Sequence, residues 1–258
     1  QTDQQKMWLN ALFALIVSVA LQVGVNYAND YSDGIKGTDN DRVGPLRLVG
    51  SGLVPAKLVK RAAIIAFGIA ACFGLLIALS TTLWLLPIGA VSIAAGWLYT
   101  GGPKPYGYFG LGELFVFVFF GLVATCGSVY AITQTIDVET WLAASVVGLL
   151  ACALLVINNL RDIPGDTQAN KKTLAVRIGD RKTRQMFYAM FVMVAVMIAV
   201  VGISDRSVLI AMLGLVSVVP AVKVVAAGAK GRELIPVLGA TGKAQLVVGL
   251  LLAVGLAI

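Results

Sequence analysis

The first residues with the means to carry chemistry form a polar stretch, Asn-Tyr-Ala-Asn-Asp-Tyr-Ser-Asp, at the end of an apolar run. Asn26 and Asp30 are four residues apart in this stretch. Asn29 and Asp33 repeat the spacing, so on a helix each pair lies on one face. Carboxylate and amide oxygens are ligands of hard cations. The stretch, together with Asp39 just beyond it, therefore predicts a metal site at the end of a helix.

A second stretch of the same kind, Asn-Asn-Leu-Arg-Asp-Ile-Pro-Gly-Asp, spans residues 158–166 and closes a later apolar run. Asp162 and Asp166 are again four residues apart. Pro164 and Gly165 lie between them and predict that the helix ends there. A single such cluster is as easily an ordinary helix end. Two clusters that join Asn with Asp at helical spacing are better interpreted as a matched pair of binding motifs.

The composition restricts the metal. The chain contains no histidine, which removes the usual transition-metal ligand and the usual general base. The ion must then be a hard, oxygen-liganded cation such as Mg²⁺. Carboxylates at a helix C-terminus oppose the helix dipole and need compensating cations, so we expect two Mg²⁺ ions that bridge a diphosphate. The predicted metal ligands are Asn26, Asn29, Asp30, Asp33, Asp39, Asp162 and Asp166.

Basic residues near both stretches fit the same anionic ligand. A leaving diphosphate gathers negative charge, and Lys or Arg donors stabilise it most in the transition state. The predicted diphosphate-binding residues are Arg42, Arg47, Lys104, Arg161, Lys171 and Lys172. The predicted catalytic residues are Asp33, Asp162, Lys104 and Glu113.

Lys104 lies in a loop that is rich in glycine, proline and aromatic residues, between residues 99 and 113. This composition is typical of an ordered lid or pocket wall, and we expect Lys104 to point inward from it. Glu113 follows at the start of a helix, where a carboxylate is favourable. Helix capping alone explains Glu113 equally well.

The elements that position these residues are helices in lipid. Hydrophobic residues make up 59% of the 258 residues and charged residues 13%, about half of what a soluble domain carries. Runs of about 20 apolar residues can cross the membrane. The sequence predicts an all-α integral membrane protein with a single domain over residues 1–258. Its eight predicted transmembrane helices are 7–29, 58–79, 84–100, 111–132, 141–160, 185–203, 207–227 and 244–258.

Charge asymmetry predicts the orientation. If the helices alternate in direction, all 20 Lys and Arg residues except Lys6 and Arg206 lie in one set of connections or at the helix ends beside it. The positive-inside rule places that set, and with it both polar stretches, in the cytoplasm. We therefore expect a multi-pass protein of the plasma membrane whose site opens to the cytoplasmic face. The net charge of +7 reflects topology, and we expect no nucleic-acid partner.

At these residues the chain resembles the UbiA-type intramembrane prenyltransferases. Their signature is an Asn-Asp-x-x-Asp motif that ends one helix and an Asp-x-x-x-Asp motif that ends another helix four later. Here the first motif is residues 29–33 and the second is residues 162–166. Tyr-Thr-Gly-Gly-Pro-x-Pro-Tyr-Gly-Tyr, Asn-Asn-Leu-Arg-Asp-Ile and Lys-x-Thr-Leu-Ala-Val-Arg resemble the menaquinone branch, the 1,4-dihydroxy-2-naphthoate prenyltransferases. Residues 231–238 are similar to its actinobacterial members.

The chain departs from the family pattern at two points. Gly37 stands where the first motif usually has a third Asp, and Asp39 is the nearest substitute. The family has nine helices and this sequence predicts eight, so we expect that the first family helix precedes this numbering.

The resemblance implies a reaction. A polyprenyl group would pass from polyprenyl diphosphate to 1,4-dihydroxy-2-naphthoate with loss of the ring carboxylate, which gives demethylmenaquinone. Cations would draw off the diphosphate, and the allylic cation, shielded from water, would be attacked by the electron-rich ring. Without histidine, ring activation would depend on the substrate's own hydroxyls or on a carboxylate such as Glu113.

Three alternatives remain open at the level of sequence. The acceptor of a prenyltransferase could be another aromatic compound, such as homogentisate or 4-hydroxybenzoate. A secondary transporter also carries acidic residues at broken helices, although its sites lie near the middle of the membrane. A CDP-alcohol phosphotransferase also sets aspartates at a membrane face, but its long signature is not found in this sequence.

Overall fold

A computed structural model describes residues 3–38, 44 and 46–258. These residues form helices and no strand, which confirms the predicted all-α fold. Seven of the helices are long and apolar enough to cross a membrane, and an eighth apolar helix, α3, is shorter. The helices are α1 (Asp3–Lys36), α2 (Ala56–Ser80), α3 (Leu85–Leu98), α4 (Gly112–Thr133), α5 (Val138–Gln168), α6 (Leu174–Ser204), α7 (Arg206–Ala226) and α8 (Gly231–Gly255).

The chain divides into two compact units. The first comprises Gln1–Phe109 and Cys126–Ile136, and the second comprises Gly110–Thr125 and Asp137–Ile258. The first unit therefore contains the polar end of α1, and the second contains the polar end of α5. The single domain predicted for residues 1–258 stays a prediction.

Small residues let the helices of each unit pack closely. In the first unit, Ala28 of α1 and Ala63 of α2 are fully buried. In the second, a Cβ placed on Gly121 of α4 would lie 2.5 Å from the Cα of Gly148 in α5. Such contacts between small residues are the usual means of helix association in lipid, where apolar burial supplies little drive. Here they bring the N-terminal part of α4 against α5.

The predicted end of α5 was wrong. The helix continues through Pro164 and Gly165 to Gln168. Proline removes one N–H donor from the ladder, but the helix reforms beyond it, since Ala169 N donates to Gly165 O at 2.9 Å. Membrane helices tolerate such a proline where local groups satisfy the freed backbone. Asp162 and Asp166 consequently lie on consecutive turns of one helix.

Two other helices begin earlier than predicted. Helix α6 starts at Leu174 rather than at residue 185, with a kink at Gly179, whose φ is 79°. Helix α8 starts at Gly231 rather than at residue 244. Pro236 lies in its first α-helical turn, where a missing N–H donor has no cost. Both starts were missed because polar and glycine residues interrupt the apolar runs there.

A buried amide joins three helices of the first unit. The Asn10 side chain is 3% exposed. Its Nδ2 donates to Ala131 O at 2.7 Å, and its Oδ1 accepts from Ser80 Oγ at 3.0 Å. Since few competing partners exist in lipid, this network holds α1 against α2 and α4.

Replacing Asn10 by Leu is expected to lower the free energy of unfolding by about 1 kcal/mol, because the Ala131 carbonyl loses its donor. Reversible unfolding in mixed micelles measures the change. Ser92→Ala is the control, since the Ser92 hydroxyl bonds only to Ile88 O of its own helix. An Asn10→Leu variant as stable as the parent would remove this network from the forces that hold α1 in place.

Candidate functional site

Within each of α1 and α5, an exposed tryptophan lies near the end of the helix opposite to the polar motif. Trp8 is 71% exposed near the start of α1, and Asn29 follows it 21 residues later. Trp141 is 50% exposed near the start of α5, and Asp162 also follows 21 residues later. At 1.5 Å per residue this is about 32 Å, close to the thickness of the hydrocarbon layer. With each indole at one border of the membrane, each motif begins at the other border.

In the first motif, the side chains of Asn29 and Asp33 lie side by side on α1. Thr100 Oγ1 donates to Asn29 Oδ1 at 2.9 Å, and Tyr108 Oη donates to Asp33 Oδ1 at 2.8 Å. Asp33 is 4% exposed. These hydrogen bonds hold both oxygens in fixed positions. Asn26, by contrast, is exposed on the preceding turn.

Asp30 has a structural role that the sequence did not indicate. Leu48 N donates to its Oδ2 and Val49 N to its Oδ1, each at 2.9 Å. Gly34 allows this turn to approach, because a Cβ there would lie 2.5 Å from Val49 Cγ1. Asp30 therefore anchors the turn that follows α1. Its role as a metal ligand stays a prediction.

The turn also places one predicted cation. Arg47 immediately precedes the amides that Asp30 holds, and it is half-buried beside the end of α1. Asp39 and Arg42, the other predicted residues of this segment, lie outside the described residues.

In the second motif, Arg161 and Asp162 form an ion pair along α5. Arg161 Nε donates to Asp162 Oδ1 and Nη2 to Oδ2, both at 2.6 Å, and Nη2 also donates to Asn158 Oδ1 at 2.8 Å. The side chain of Arg161 is 0% exposed and that of Asp162 is 15% exposed. Nη1 of Arg161 is buried with no hydrogen-bond partner. Arg161 thus fixes the carboxylate of Asp162 and retains one unused donor.

The next turn holds Asp166. Thr173 Oγ1 donates to its Oδ2 at 3.3 Å, and Lys171 Nζ lies 4.0 Å from its Oδ1. Thr173 also caps α6, so Asp166 is tied to the start of that helix. Lys171 is half-buried and Lys172 is exposed. The structure therefore brings Asp166 and Lys171 together, and the anion-binding role of Lys171 stays a prediction.

Glu113 is buried at the start of α4. It is 7% exposed, and Asn159 Nδ2 donates to its Oε1 at 2.9 Å. Its Oε2 is buried without a partner. Asn159 lies three residues before Asp162 on α5, so the carboxylate sits one helical turn from the second motif. The hydrogen bond from Asn159 ties the Glu113 carboxylate to α5, a contact that capping of α4 does not supply.

The loop of residues 99–109 is held by hydrogen bonds, and the cation predicted to point inward from it lies at the surface instead. Lys104 is exposed. Lys36, from the end of α1, contacts the loop instead. Its Nζ donates to Thr100 O at 2.5 Å and lies 5.0 Å from the centre of the Tyr108 ring.

The tyrosines of this loop hold its shape. Tyr106 Oη donates to Ala95 O at 2.9 Å, and burial raises the pKa of Tyr106 above its usual value. Its ring meets that of Tyr99 edge-on, with centroids 5.5 Å apart.

The carboxylate and amide oxygens of the two motifs suit a hard cation that also binds phosphate. Within the described residues, no three Asp, Glu or Cys side chains form a group that could hold a metal ion. Each motif by itself supplies amide and carboxylate oxygens from one helix face. Mg²⁺ is held in this manner, by one or two carboxylates together with substrate phosphates, so the residues present fit it.

Sequence reasoning missed four residues that support the motifs: Lys36, Thr100, Tyr108 and Asn159. One signal was available, since Asn29, Asp33 and Lys36 share a helix face and so face the same loop. Nothing in the sequence indicated which loop residues they meet.

The chain is similar in sequence to known prenyltransferases. The profile of the UbiA prenyltransferase family matches residues 2–233. A "1,4-dihydroxy-2-naphthoate octaprenyltransferase" of Mycobacterium tuberculosis is 49% identical over 97% of this chain and 86% of that protein. A protein of the same name in Escherichia coli is 43% identical over 69% of this chain and 60% of its own length.

Two solved structures share the fold. A UbiA homolog from Archaeoglobus fulgidus, bound to DMAPP and Mg²⁺, has a TM-score of 0.65 and 15% identity, over 96% of this chain and 87% of that one. The apo structure of a UbiA homolog from Aeropyrum pernix K1 has a TM-score of 0.68 and 15% identity, over 97% and 96% of the two chains.

Proposed function

This chain belongs to the UbiA prenyltransferase family, and from that membership we propose that it prenylates 1,4-dihydroxy-2-naphthoate. The polyprenyl group comes from polyprenyl diphosphate, the ring carboxylate is lost as CO₂, and demethylmenaquinol, the reduced form of demethylmenaquinone, is formed. The similarity to the mycobacterial relative, over nearly the whole chain, carries the choice of acceptor.

The membrane border suits both parts of the prenyl diphosphate substrate. The prenyl tail is apolar and belongs in the hydrocarbon layer, whereas the diphosphate needs charge and hydrogen bonds. A motif that begins about 32 Å from the opposite border puts the bond to be broken where the two environments meet. The positive-inside rule assigns that border to the cytoplasmic side of the plasma membrane.

Two Mg²⁺ ions, when bound, neutralise the charge of the diphosphate. Asn29 and Asp33 of the first motif, and Asp162 and Asp166 of the second, would hold them. Asn26, Asp30 and Asp39 are further ligand candidates from the first motif.

Cationic side chains receive the leaving group. Lys171 beside Asp166 and Arg47 beside Asp30 donate to diphosphate oxygens as the C–O bond breaks and its electron pair leaves with the diphosphate. Arg42, Lys172 and Lys104 are additional donors in this proposal. Because Arg161 is buried against Asp162, its main role is to orient that carboxylate, and Nη1 can give the diphosphate one further hydrogen bond.

Glu113 acts on the acceptor. Its free Oε2 takes the proton of a ring hydroxyl, while Asn159 holds Oε1. Electron density on the ring rises, and the ring carbon that bears the carboxylate forms the C–C bond to the prenyl group. Loss of that carboxylate as CO₂ returns the electron pair to the ring.

The test is prenylation by purified protein with Mg²⁺, a polyprenyl diphosphate and 1,4-dihydroxy-2-naphthoate. Demethylmenaquinol, CO₂ and diphosphate are the expected products, with homogentisate and 4-hydroxybenzoate as rival acceptors. Glu113→Gln should lower kcat by about 100-fold, the usual contribution of a general base. Glu139→Gln is the control, since Glu139 lies in the first turn of α5, at the other end of that helix. Faster prenylation of a rival acceptor by the parent would overturn the proposed acceptor.

A further inference from the structure

One face of α1 makes three contacts with the loop of residues 99–109. Asn29 Oδ1 accepts from Thr100 Oγ1, Asp33 Oδ1 accepts from Tyr108 Oη, and Lys36 Nζ donates to Thr100 O. Two of these three groups on α1 are the side chains best placed to hold an ion. The loop is therefore attached to α1 through the proposed binding groups themselves.

The loop also has hydrogen bonds of its own. Tyr106 ties it to α3 through Ala95 O. Gly107 N donates to Tyr99 O at 3.0 Å, and a Cβ on Gly107 would lie 2.7 Å from that carbonyl oxygen. This part of the loop is a folded unit on the end of α3. The hydroxyl of Tyr108, by contrast, donates out of the loop to Asp33.

The hydroxyl of Tyr108 occupies a polar junction. Besides Asp33 Oδ1 it lies 3.1 Å from Thr38 Oγ1, just beyond the end of α1. The Lys36 ammonium group lies over the ring of the same tyrosine. A donor so constrained holds the carboxylate in one orientation before any ion arrives, which removes part of the entropic cost of binding.

We propose that Tyr108 is a positioning residue for Asp33, and that its hydrogen bond couples cation and diphosphate binding at the first motif to the order of the loop of residues 99–109. The proposal rests on the proposed function, because it assumes that the first motif binds a cation with a diphosphate. An ion at Asn29 and Asp33 fixes the two acceptors that hold Thr100 and Tyr108. The loop is then more rigid when the site is filled.

Mn²⁺ is a suitable probe, since its binding is measured by electron paramagnetic resonance without turnover, here in the presence of inorganic pyrophosphate. Tyr108→Phe removes only the hydroxyl and should raise the Kd of Mn²⁺ roughly tenfold, as the loss of one hydrogen bond to a charged group predicts. Thr100→Val, which removes the donor to Asn29, should act in the same direction. Tyr106→Phe is the matched control and should keep the parental Kd, because that hydroxyl bonds to Ala95 O.

Hydrogen exchange of residues 99–109 gives the second measurement. In the parent, Mn²⁺ with pyrophosphate should slow exchange of these amides severalfold, and in Tyr108→Phe it should not. A parental Kd in Tyr108→Phe, or exchange in the parent that Mn²⁺ with pyrophosphate leaves unchanged, would overturn the coupling. Absence of prenylated product from a parent that binds Mn²⁺ would instead overturn the proposed function, so the two failures are distinguishable.

Discussion

Replacing Asp33 by Asn is expected to reduce the rate of prenylation by at least about 100-fold at saturating substrates, with little change in thermal stability. The change removes a charged ligand, and losses of this size follow even from perturbing groups that only support a metal ligand. The amide oxygen of Asn still accepts from Tyr108, so the contact with the loop survives. Product formation and the thermal midpoint, measured on the same detergent-solubilised preparation, test both parts.

Asp30→Asn is the matched control, three residues earlier on the same helix. An amide accepts from only one of the two backbone N–H groups of Leu48 and Val49 that the Asp30 carboxylate now satisfies. We expect a loss of about 1–3 kcal/mol of stability, the cost of a buried donor without a partner. Equal loss of activity and stability in both variants would contradict the assignment of separate roles to Asp30 and Asp33.

Replacing Asp162 by Asn should destabilise the protein as well as inactivate it. The Arg161 side chain is 0% exposed, and its carboxylate partner accepts two hydrogen bonds at 2.6 Å. Removal of one partner from a buried ion pair leaves an uncompensated charge, which typically costs 3–5 kcal/mol. Because Asp162 is 15% exposed, a value of about 3 kcal/mol is the better expectation.

A double variant separates the effect of the Arg161–Asp162 ion pair on stability from the effect of Asp162 on catalysis. Arg161→Met with Asp162→Asn removes both charges, so it should recover most of the stability that Asp162→Asn loses while remaining inactive. The free energy of unfolding in mixed micelles and the prenylation rate are compared across the four proteins of the cycle. An Asp162→Asn variant as stable as the parent would show that Arg161 does not depend on its neighbour.

The sequence predicted the helices and the motifs because both are local. An apolar run of about 20 residues needs no knowledge of its neighbours to be recognised, and neither do Asn29 and Asp33 at helical spacing. Pro164 shows the limit of local rules. A helix usually ends before a proline, but this one reforms beyond Pro164, where Ala169 N donates to Gly165 O.

The roles of individual polar side chains depended on distant partners. Asp30 and Asp33 are both predicted metal ligands, but Asp30 accepts from the amides of residues 48 and 49, whereas Asp33 accepts from Tyr108. The side chain that holds the Glu113 carboxylate, Asn159, lies 46 residues away along the chain. Lys104 is exposed rather than directed inward, and Lys36 contacts the loop. Contacts over such separations follow from packing, which no spacing rule encodes.

In both α1 and α5 the same number of residues separates the tryptophan from the first proposed ligand, and this length matches the hydrocarbon thickness of a bilayer. Deletion of one residue between Trp8 and Asn29 would shift the motif by about 1.5 Å along the helix axis toward Trp8. It would also rotate the motif by about 100° about that axis, away from the loop that it contacts. A thicker or thinner bilayer changes depth without rotation, and tilt absorbs part of that change. These helices can therefore adapt to lipid composition, but a change in their own length would misdirect the site.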